Sequence, residues 1–363
     1  MNTILIALLL IINENHQEIK TNPGLIPEFK IIYDDITLER IAQSTKPMGK
    51  VGRKFAILGY EDGRFEAWAY PLKILRNFEF SFLIENSTTP LKSSDVLKYI
   101  TVTPSATIIS YSSQFFTINA IYITPIDEPG SLILLKVNNL NPIKIICSFI
   151  PVLQPMWPAG IGGQFSYWSD EIKAYIISEP TAQNHGIIGS PLAQGISYTP
   201  AHMLSDNPLE FIIEIDKPYK FQNYYIPICI TGGKGKFDSV KSVYFKLLQN
   251  PELYYKKTFE HYDKIKNSTL KIYTPDPKIN LAFEWAKISY DNLMVSNPDL
   301  GTGLVAGLGV SGYSGRPGFG WFFGGDAFIN SFAINSYCAY STTKDALKFT
   351  QKWQRNDGKM AHE

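Results

Sequence analysis

The sequence predicts a multidomain chain in which an antiparallel β sandwich comes first, followed by a helical linker and then an all-helical region. Short runs rich in Ile, Val, Tyr and Phe recur from about residue 55 to about residue 231, bounded by Gly, Pro, Asn or Asp. From about residue 240 the composition changes to Lys, Glu and Gln, with apolar residues between them. A regular helical spacing of apolar residues then begins after Asp276 and Pro277.

The composition is that of an ordinary globular protein and argues against several classes of partner. The 363 residues are 45% hydrophobic and 18% charged, with a net charge of +1, and this length provides for two hydrophobic cores. No cluster of Lys or Arg resembles a nucleic-acid-binding patch, so we expect no nucleic-acid partner. The three Cys and five His show no metal-ligand spacing, so we expect neither a metal nor another cofactor.

Residues 1–24 contain an apolar run that leaves two interpretations open. The run from Ile4 to Ile12 is too short to span a membrane but has the length of the apolar part of a signal peptide. However, no Lys or Arg precedes the run, and no clear small-x-small cleavage site follows it. We therefore predict a signal or disordered segment, with a first strand as the alternative. Cytoplasmic and exported locations both stay open.

Residues 25–239 are predicted to form the β sandwich. A hairpin is expected where Phe55–Tyr60 and Phe65–Tyr70 flank Asp62 and Gly63, a dipeptide that favours a tight turn. Many short strands without helical spacing between them favour a large antiparallel sandwich. The further predicted strands are Thr107–Tyr111, Phe115–Thr124, Ser131–Val137, Ile143–Ile150, Ile172–Ile177, Glu210–Ile215 and Phe221–Ile230.

Residues 240–275 are predicted to form one or two linker helices, since Pro251 interrupts the helical pattern. The region 276–363 begins with a helix, because Asp276 is a favourable N-cap and Pro277 is favoured at the first helical position. The apolar residues that follow have helical spacing, at Ile279, Ala282, Phe283, Ala286, Tyr290 and Leu293.

A glycine-rich loop is predicted between this helix and the next one. Leu300–Gly325 contains ten glycines, which allow a backbone to approach a ligand closely. Gly307, Gly309 and Gly312 fit the Gly-x-Gly-x-x-Gly pattern, but the pattern follows a predicted helix and leads into more loop. We therefore reject a dinucleotide site, which needs a strand before the glycines and a helix after them.

Two further helices are predicted after the loop. Asp326–Tyr340 is apolar almost all round, which is typical of a helix that is buried on most sides. Thr342 and Asp345 have the spacing of a capping box and predict the start of the last helix. The residues expected on one face of that helix are Ala346, Phe349 and Trp353.

The loop also carries the residue types that bind sugars. Aromatic rings stack on the apolar faces of sugar rings, and a carboxylate accepts hydrogen bonds from sugar hydroxyls. Asp326, at the junction between the loop and the next helix, is therefore a candidate sugar-binding residue, and a helix N-cap is its alternative role. Trp157 and Trp168 are predicted to cap the sandwich core, and contact with the sugar pocket is their alternative.

The segment Trp321–Phe328 resembles the Trp-x-Arg-Asp segment of glucoamylases and of the amylo-α-1,6-glucosidase part of glycogen-debranching enzymes. Gly59–Lys73 also resembles the N-terminal domain of bacterial proteins of the glycogen-debranching kind. The resemblance extends from about residue 50 to Glu363. It implies an antiparallel β-supersandwich, a helical linker and the truncated start of an (α/α)6 toroid, the fold of the six-hairpin glycosidases.

The resemblance implies roles for several residues. Asp326 would hold the hydroxyls of the sugar in the −1 subsite, and Trp321 would form part of its wall. Gly325 departs from the family, which often has Arg there, and so removes a guanidinium that would bind hydroxyls or orient the carboxylate. Arg316 would replace that guanidinium from the loop, with a surface arginine as the alternative. Glu363 ends a stretch that resembles Asp-Gly-Lys-Ile-Pro-His-Glu of the family and would face the same pocket, with an exposed residue as the alternative.

The resemblance further implies hydrolysis of an α-glucosidic bond by two carboxyl groups that act as general acid and base, without a metal or organic cofactor. In the family these groups come from later helices, and a toroid of twelve helices needs at least ~200 residues, whereas residues 276–363 are all that follow the linker. We therefore expect the N-terminal portion of a glycoside hydrolase for oligo- or polysaccharides, without the catalytic pair and without turnover. The alternatives are a disaccharide phosphorylase, a carbohydrate-binding protein without catalysis and a structural β-sandwich protein.

Overall fold

The structure, a computed structural model, describes residues 24–195, 197, 207–312 and 314–363. The segment 1–24, predicted to be a signal or disordered segment, therefore lies outside the described residues apart from Gly24. None of the helices in the described ranges is long and apolar enough to cross a membrane. The division of the chain at residues 239 and 275 stays a prediction.

The first part of the chain consists almost entirely of antiparallel strands, as predicted. These strands are β1 (Ile26–Pro27), β2 (Leu38–Ile41), β3 (Pro47–Val51), β4 (Phe55–Tyr60), β5 (Phe65–Ala69), β6 (Leu72–Ile84), β7 (Leu91–Lys92), β8 (Leu97–Val102), β9 (Thr107–Ser112), β10 (Phe116–Ile123), β11 (Gly130–Asn139), β12 (Ile143–Pro155), β13 (Phe165–Ser169), β14 (Ala174–Ser178), β15 (Asn184–Gly189), β16 (Ala193–Gly195), β17 (Leu209–Ile215) and β18 (Tyr224–Lys234), with a 3-10 turn at Ser93–Asp95.

Helices and one hairpin make up the rest of the described chain. They are α1 (Phe237–Gln249), α2 (Pro251–Ser268), α3 (Pro277–Asn292), the hairpin β19 (Met294–Asn297) and β20 (Gly301–Leu304), α4 (Gly324–Ser336) and α5 (Tyr340–Lys352). A β-sandwich followed by a helical region is thus confirmed, whereas the (α/α)6 toroid stays a prediction.

Two antiparallel sheets form the sandwich. The larger has the order β13-β14-β15-β18-β11-β10-β9-β8-β2, with β1 also paired to β18, and the smaller has the order β16-β17-β12-β6-β5-β4-β3, with β7 paired to β6. Side chains from both sheets meet in one buried core, where Phe80 of the small sheet contacts Tyr111 of the large sheet with 6.2 Å between ring centroids. The predicted hairpin at Asp62 and Gly63 joins β4 to β5.

The long strand β6 is central to the small sheet and was not among the predicted strands. It pairs with both β5 and β12. Its sequence carries Lys73 and Arg76 among apolar residues, and Asn77 adopts a positive φ of 52°. The left-handed residue and the register shifts beside it offset the apolar alternation, so the two-residue period that marks a strand is lost.

The linker helices pack on the outer face of the large sheet. Tyr244, Leu247 and Leu248 of α1 are buried against Leu132 and Leu134 of β11. Pro251 ends the first helical pattern and begins the second as the first residue of α2, so the predicted break is confirmed. This contact covers one face of the large sheet with an amphipathic helix.

The start of α3 is confirmed in detail. The carboxylate of Asp276 accepts a hydrogen bond from the backbone N–H of Lys278 at 2.8 Å, and Pro277 is the first helical residue. These local signals act within one helical turn, so they are effective regardless of the surrounding fold.

One alternative and one prediction about α4 are wrong. The helix begins at Gly324 after the N-cap Phe323, so Asp326 is its third residue and not its N-cap. The helix is also not buried on most sides, because Ile329 and Phe332 are 70% and 78% exposed. One face of α4 packs against α3, α5 and β20 in the described chain, and the opposite apolar face is open to solvent.

The predicted capping box of the last helix is also wrong. The helix α5 begins at Tyr340 because the chain turns sharply at Cys338, which has a φ of 71°, and the N–H of Thr343 already bonds to the carbonyl of Ala339. Thr342 therefore lies inside the helix. The predicted buried face is confirmed at Ala346 and Phe349, whereas Trp353 follows the helix end and is 41% exposed.

The β19–β20 hairpin was not predicted, because each strand has only four residues. Because of this hairpin, Gly307 and Gly309 follow a strand and not a helix, contrary to the prediction. The rejection of a dinucleotide site holds on the second ground, because no helix in the described chain begins between these glycines and Gly324.

A buried ionic cluster joins the sandwich to the helices. The guanidinium of Arg53, between β3 and β4, donates to the carboxylate of Asp291 at 2.5 Å and to its carbonyl at 2.6 Å. His261 of α2 lies 2.8 Å from the other carboxylate oxygen of Asp291. Burial alone would raise the pKa of Asp291, but the hydrogen bond from His261 and the charge of Arg53 outweigh it and hold the pKa below its usual value.

We predict that Asp291→Asn lowers the free energy of unfolding by about 3–5 kcal/mol at pH 7, because it leaves the guanidinium of Arg53 buried without its counter-charge. The matched control Asp299→Asn breaks an exposed pair with Lys234 and should cost at most ~1 kcal/mol. Chemical denaturation of both variants measures the difference.

The pH dependence provides a second readout of the same cluster. Because the folded-state pKa of Asp291 is depressed, its stabilisation is complete above the unfolded-state value of about 3.9 and is lost as the pH falls through the lower folded-state value. The stability gap between wild type and Asp291→Asn should therefore narrow below about pH 4. A gap that stays constant into acid would contradict the assignment.

Candidate functional site

The glycine-rich loop lies on the outer face of the small sheet. Side chains of β5 alternate, so that Phe65, Ala67 and Ala69 enter the sandwich core while Glu66 and Trp68 point the other way. Trp68 is buried in an apolar cluster with residues of the hairpin and the loop. As a result β5 is buried on both faces, and the loop packs on the outer face of the sandwich.

The carboxylate of Glu66 holds the backbone of the loop. It accepts hydrogen bonds from the backbone N–H of Ser311 at 2.8 Å, from the hydroxyl of Ser311 at 2.9 Å and from the N–H of Gly312 at 3.1 Å. It also accepts from the indole N–H of Trp68 at 2.8 Å. Glu66 is 2% exposed, so these bonds form out of contact with water and strongly favour one loop conformation.

Lys73 of β6 holds the same loop segment by donating to the carbonyl groups of the loop. Its ammonium donates to the carbonyl of Gly312 at 2.7 Å and to that of Ser314 at 3.3 Å, and lies 3.9 Å from the carboxylate of Glu66. Burial lowers the pKa of Lys73, and the charge of Glu66 opposes this shift. Two charged side chains of the sandwich thus fix both the donors and the acceptors of the loop.

Two residues beyond this segment, Arg316 lies among three aromatic rings. The centre of its guanidinium is 5.0 Å from the ring centroid of Trp157, 5.1 Å from that of Trp321 and 5.6 Å from that of Phe323. One guanidinium nitrogen donates to the carboxylate of Glu363 at 3.1 Å. The buried Nε of Arg316 has no hydrogen-bond partner in the described chain. The arrangement combines cation–π contacts with an ion pair and keeps further N–H donors for a ligand.

The two tryptophans of the sandwich behave differently. Trp168 packs edge-on against Tyr175 at 5.0 Å and caps the core, as predicted. Trp157 does not cap the core, because its ring contacts Arg316 and its backbone N–H donates to the carbonyl of Gly315 at 3.0 Å. The contact of the sandwich with the candidate site is therefore made by Trp157.

Close packing at Gly324 brings Glu363 to the loop. The N–H of Gly324 donates to the carbonyl of His362 at 2.9 Å. A Cβ at Gly324 would lie 2.3 Å from the carbonyl oxygen of Ala361, whereas a Cβ at Gly325 would meet nothing within 4 Å. The first helical turn of α4 can approach the segment 361–363 this closely only because residue 324 is glycine.

These contacts enclose an apolar cavity of about 300 Å³. Of the predicted site residues, Trp321 and Glu363 line the cavity, and Arg316 contacts both of them. Asp326 is exposed on the first turn of α4 and does not line the cavity. The lining consists of Leu300, Leu304, Trp321, Phe322, Phe323, Gly324, Ala327, Phe349, Thr350, Trp353, Ala361 and Glu363.

The structure therefore brings together three of the four predicted site residues and adds others that the sequence did not reveal. Glu66 and Lys73 had no predicted role, although a charge between apolar neighbours in a strand signals a buried partner. The aromatic rings and the Arg316–Glu363 pair provide stacking surfaces and hydrogen-bonding groups, which suit a neutral, hydroxyl-rich ligand.

Comparison with known proteins gives similarity in structure. A bacterial glucoamylase complexed with acarbose superposes with a TM-score of 0.57 at 10% identity, over 93% of this chain and 54% of that chain. A human-microbiome protein assigned as a kojibiose phosphorylase gives 0.45 at 9% identity, over 80% and 39%. An α-N-acetylgalactosaminidase from Bifidobacterium bifidum gives 0.28 at 8% identity, over 56% and 39%. No family model matches the sequence, and no curated protein matches it.

The similarity to the glucoamylase shows a shared fold and no more, because proteins that share a fold at 10% identity can differ in activity. The chain spans about half the length of that glucoamylase. The other two TM-scores are too low to support an argument.

We predict opposite effects for two neighbouring glycines. Gly325→Ala should stabilise the protein by about 0.4–1 kcal/mol, since the position is helical and open. Gly324→Ala should destabilise it by about 1–3 kcal/mol, because the new methyl group overlaps the backbone of Ala361. Thermal unfolding measures both, and equal shifts in both variants would contradict the packing described above.

We also predict that Glu66→Ala costs about 3–5 kcal/mol, because it leaves buried donors on the loop without an acceptor. The control Glu79→Ala, at an exposed position of β6, should stay within ~0.5 kcal/mol of wild type. Limited proteolysis of folded protein should then cut Glu66→Ala near residues 311–314 faster than wild type. Unchanged cleavage of this segment would show that Glu66 does not hold the loop.

Proposed function

We propose that this chain is the saccharide-binding N-terminal portion of a glycoside hydrolase that acts on α-glucosidic bonds, of the glucoamylase or debranching type. The single observation that supports it most is the aromatic cavity beside the Arg316–Glu363 pair. It lies at the loop–helix junction of a fold that is shared with a bacterial glucoamylase. That glucoamylase is complexed with acarbose.

In this proposal the loop residues bind one sugar unit. Trp321 and its aromatic neighbours stack on the apolar face of the ring, and Glu363 accepts hydrogen bonds from hydroxyls. Arg316 donates through the N–H groups that its ion pair leaves over, and so takes the place of the arginine that Gly325 lacks. Asp326 accepts from sugar hydroxyls outside the cavity, since its side chain is exposed on the first turn of α4, whose Gly324 and Ala327 line the cavity.

The hydrolysis itself would use a general acid and a general base on either side of the bond, which requires no metal or organic cofactor. We assign neither group to a residue of this chain. Glu363 lines the cavity, but one of its oxygens already accepts from Arg316. This pairing suits a residue that binds substrate.

A carbohydrate-binding protein without catalysis is the second candidate. The same ion pair favours it, together with the missing arginine at position 325. A disaccharide phosphorylase would bind sugar in the same way and differ in the attacking group, which would be phosphate in place of water.

Titration calorimetry with acarbose and maltoheptaose tests the proposal, with a β-linked glucan as the control ligand. Wild type should bind the α-linked ligands and not the β-linked one. Asp326→Asn should weaken binding about 10- to 100-fold, because a hydrogen bond to a charged group contributes about 1.5–3 kcal/mol. The matched control Asp345→Asn, on the exposed face of α5, should bind like wild type.

Three outcomes decide on the proposal, on Asp326 and on the second candidate. A wild-type protein that binds none of these saccharides would refute both the hydrolase and the binding-protein proposals. Binding with no effect of Asp326→Asn would remove Asp326 from the site but leave the cavity. Hydrolysis of maltoheptaose by a longer form of the protein would exclude the binding protein without catalysis.

A further inference from the structure

A second cleft, of about 460 Å³, lies on the sandwich beside Trp157. Its walls are two chain segments, 150–155 at the end of β12 and 159–164 in the following loop. Pro155 and Ala159 both line it, so Trp157 stands in the short turn between the two walls. The amide of Gln164 bonds to the carbonyl of Pro151 at 2.9 Å and accepts from the N–H of Leu153, which holds the walls together.

Trp157 also connects this cleft to the aromatic cavity. The guanidinium of Arg316 lies 5.0 Å from the ring of Trp157 and 5.1 Å from the ring of Trp321, so at most about 10 Å separates the two ring centroids. Trp321 lines the cavity. Trp157 is therefore linked through Arg316 to Trp321 at the cavity, and it lies in the chain between Pro155 and Ala159, which line the cleft.

The indole of Trp157 is 59% exposed although its position is constrained. The backbone N–H of Trp157 donates to the carbonyl of Gly315, and Arg316 covers part of the ring. An indole that is exposed and constrained offers apolar area to a ligand at little cost in conformational entropy. Such a side chain is typical of a stacking surface.

The lining of the cleft is free of charged side chains, since it consists of aliphatic residues, prolines, glycines, Gln154 and Gln164. A phosphate or another anion would find no cation there, and a cation would find no carboxylate. Amide groups beside an exposed aromatic ring instead suit a neutral ligand that carries many hydroxyls.

We propose that this cleft is a second saccharide-binding subsite, built by the sandwich, which holds the part of a neutral glucan chain beyond the sugar at the cavity. Trp157 is its stacking surface and Gln154 its hydrogen-bonding side chain. The proposal rests on the proposed function, because the chain must first be bound at the cavity. It adds that affinity depends on chain length and that the sandwich takes part in recognition.

The test is titration calorimetry with glucose, maltotriose and maltoheptaose on wild type and three variants. Trp157→Ala removes the stacking surface, and Gln154→Leu changes the cleft while leaving Trp157 and Arg316 in place. Tyr99→Ala is the control, since Tyr99 is 52% exposed on β8, near the opposite edge of the large sheet from β13.

Wild type should bind maltoheptaose more tightly than glucose. Trp157→Ala should raise the Kd for maltoheptaose roughly tenfold more than the Kd for glucose, which it also affects because it removes one contact of Arg316. Gln154→Leu should raise the Kd for maltoheptaose roughly fivefold and leave glucose affinity unchanged. Tyr99→Ala should bind every ligand like wild type. The melting temperature of each variant is measured alongside, and Gln154→Leu decides the result if Trp157→Ala does not fold.

Two results would overturn the subsite and leave the proposed function intact. Equal affinity of wild type for glucose and maltoheptaose would show that nothing beyond one sugar unit is bound. An equal loss for glucose and maltoheptaose in Trp157→Ala, with Gln154→Leu like wild type, would show that Trp157 acts only through Arg316. A wild type that binds no saccharide would refute the proposed function, and the subsite with it.

Discussion

The hydrogen bonds between Glu66 and the glycine-rich loop are the interaction on which the rest of the candidate site depends. The loop between β20 and α4 contains six glycines and has high conformational entropy when unfolded, and ordering its backbone costs about 1–2 kcal/mol per residue. Apolar contacts alone do not select one conformation for such a segment. A buried carboxylate selects one conformation, because its hydrogen bonds are directional and are stronger where water is excluded. Lys73 adds the complementary donors, so the backbone at Gly312 is held on both sides.

This arrangement gives the sandwich a direct part in the site. The outer face of the small sheet is covered by the loop and the β19–β20 hairpin, and Trp68 is fully buried there. The Arg53–Asp291 pair joins the turn between β3 and β4 to the end of α3. Removing the sandwich would therefore expose apolar surface and leave charged groups of the helical region without partners. The β region and the helices form one packed unit around the loop.

In the proposed site, Arg316 takes the role of a motif arginine that this chain lacks. The resembled family often carries a guanidinium directly before the aspartate, and Gly325 lacks it. Here a guanidinium comes from the loop and is held by three rings and by Glu363. Its planar shape suits stacking between rings, which an ammonium cannot match. The guanidinium of Arg316 lies close to Trp321. That Arg316 and Asp326 both bind sugar hydroxyls is part of the proposal.

The sequence by itself determined the turns, helix starts and helix breaks that depend on interactions between neighbouring residues. The Asp62-Gly63 turn, the start of α3 at Asp276 and Pro277, and the break at Pro251 depend on neighbours within a few residues, and all were predicted. The order of a β sandwich and a helical region followed from apolar periodicity. Only the tertiary structure decided the rest. Glu66 and Lys73 acquire their role from a loop about 240 residues away, and β6 is a central strand because two neighbours pair with it despite its broken pattern. The open face of α4 and the contact of Trp157 with Arg316 likewise depend on how distant elements pack, which no local pattern encodes.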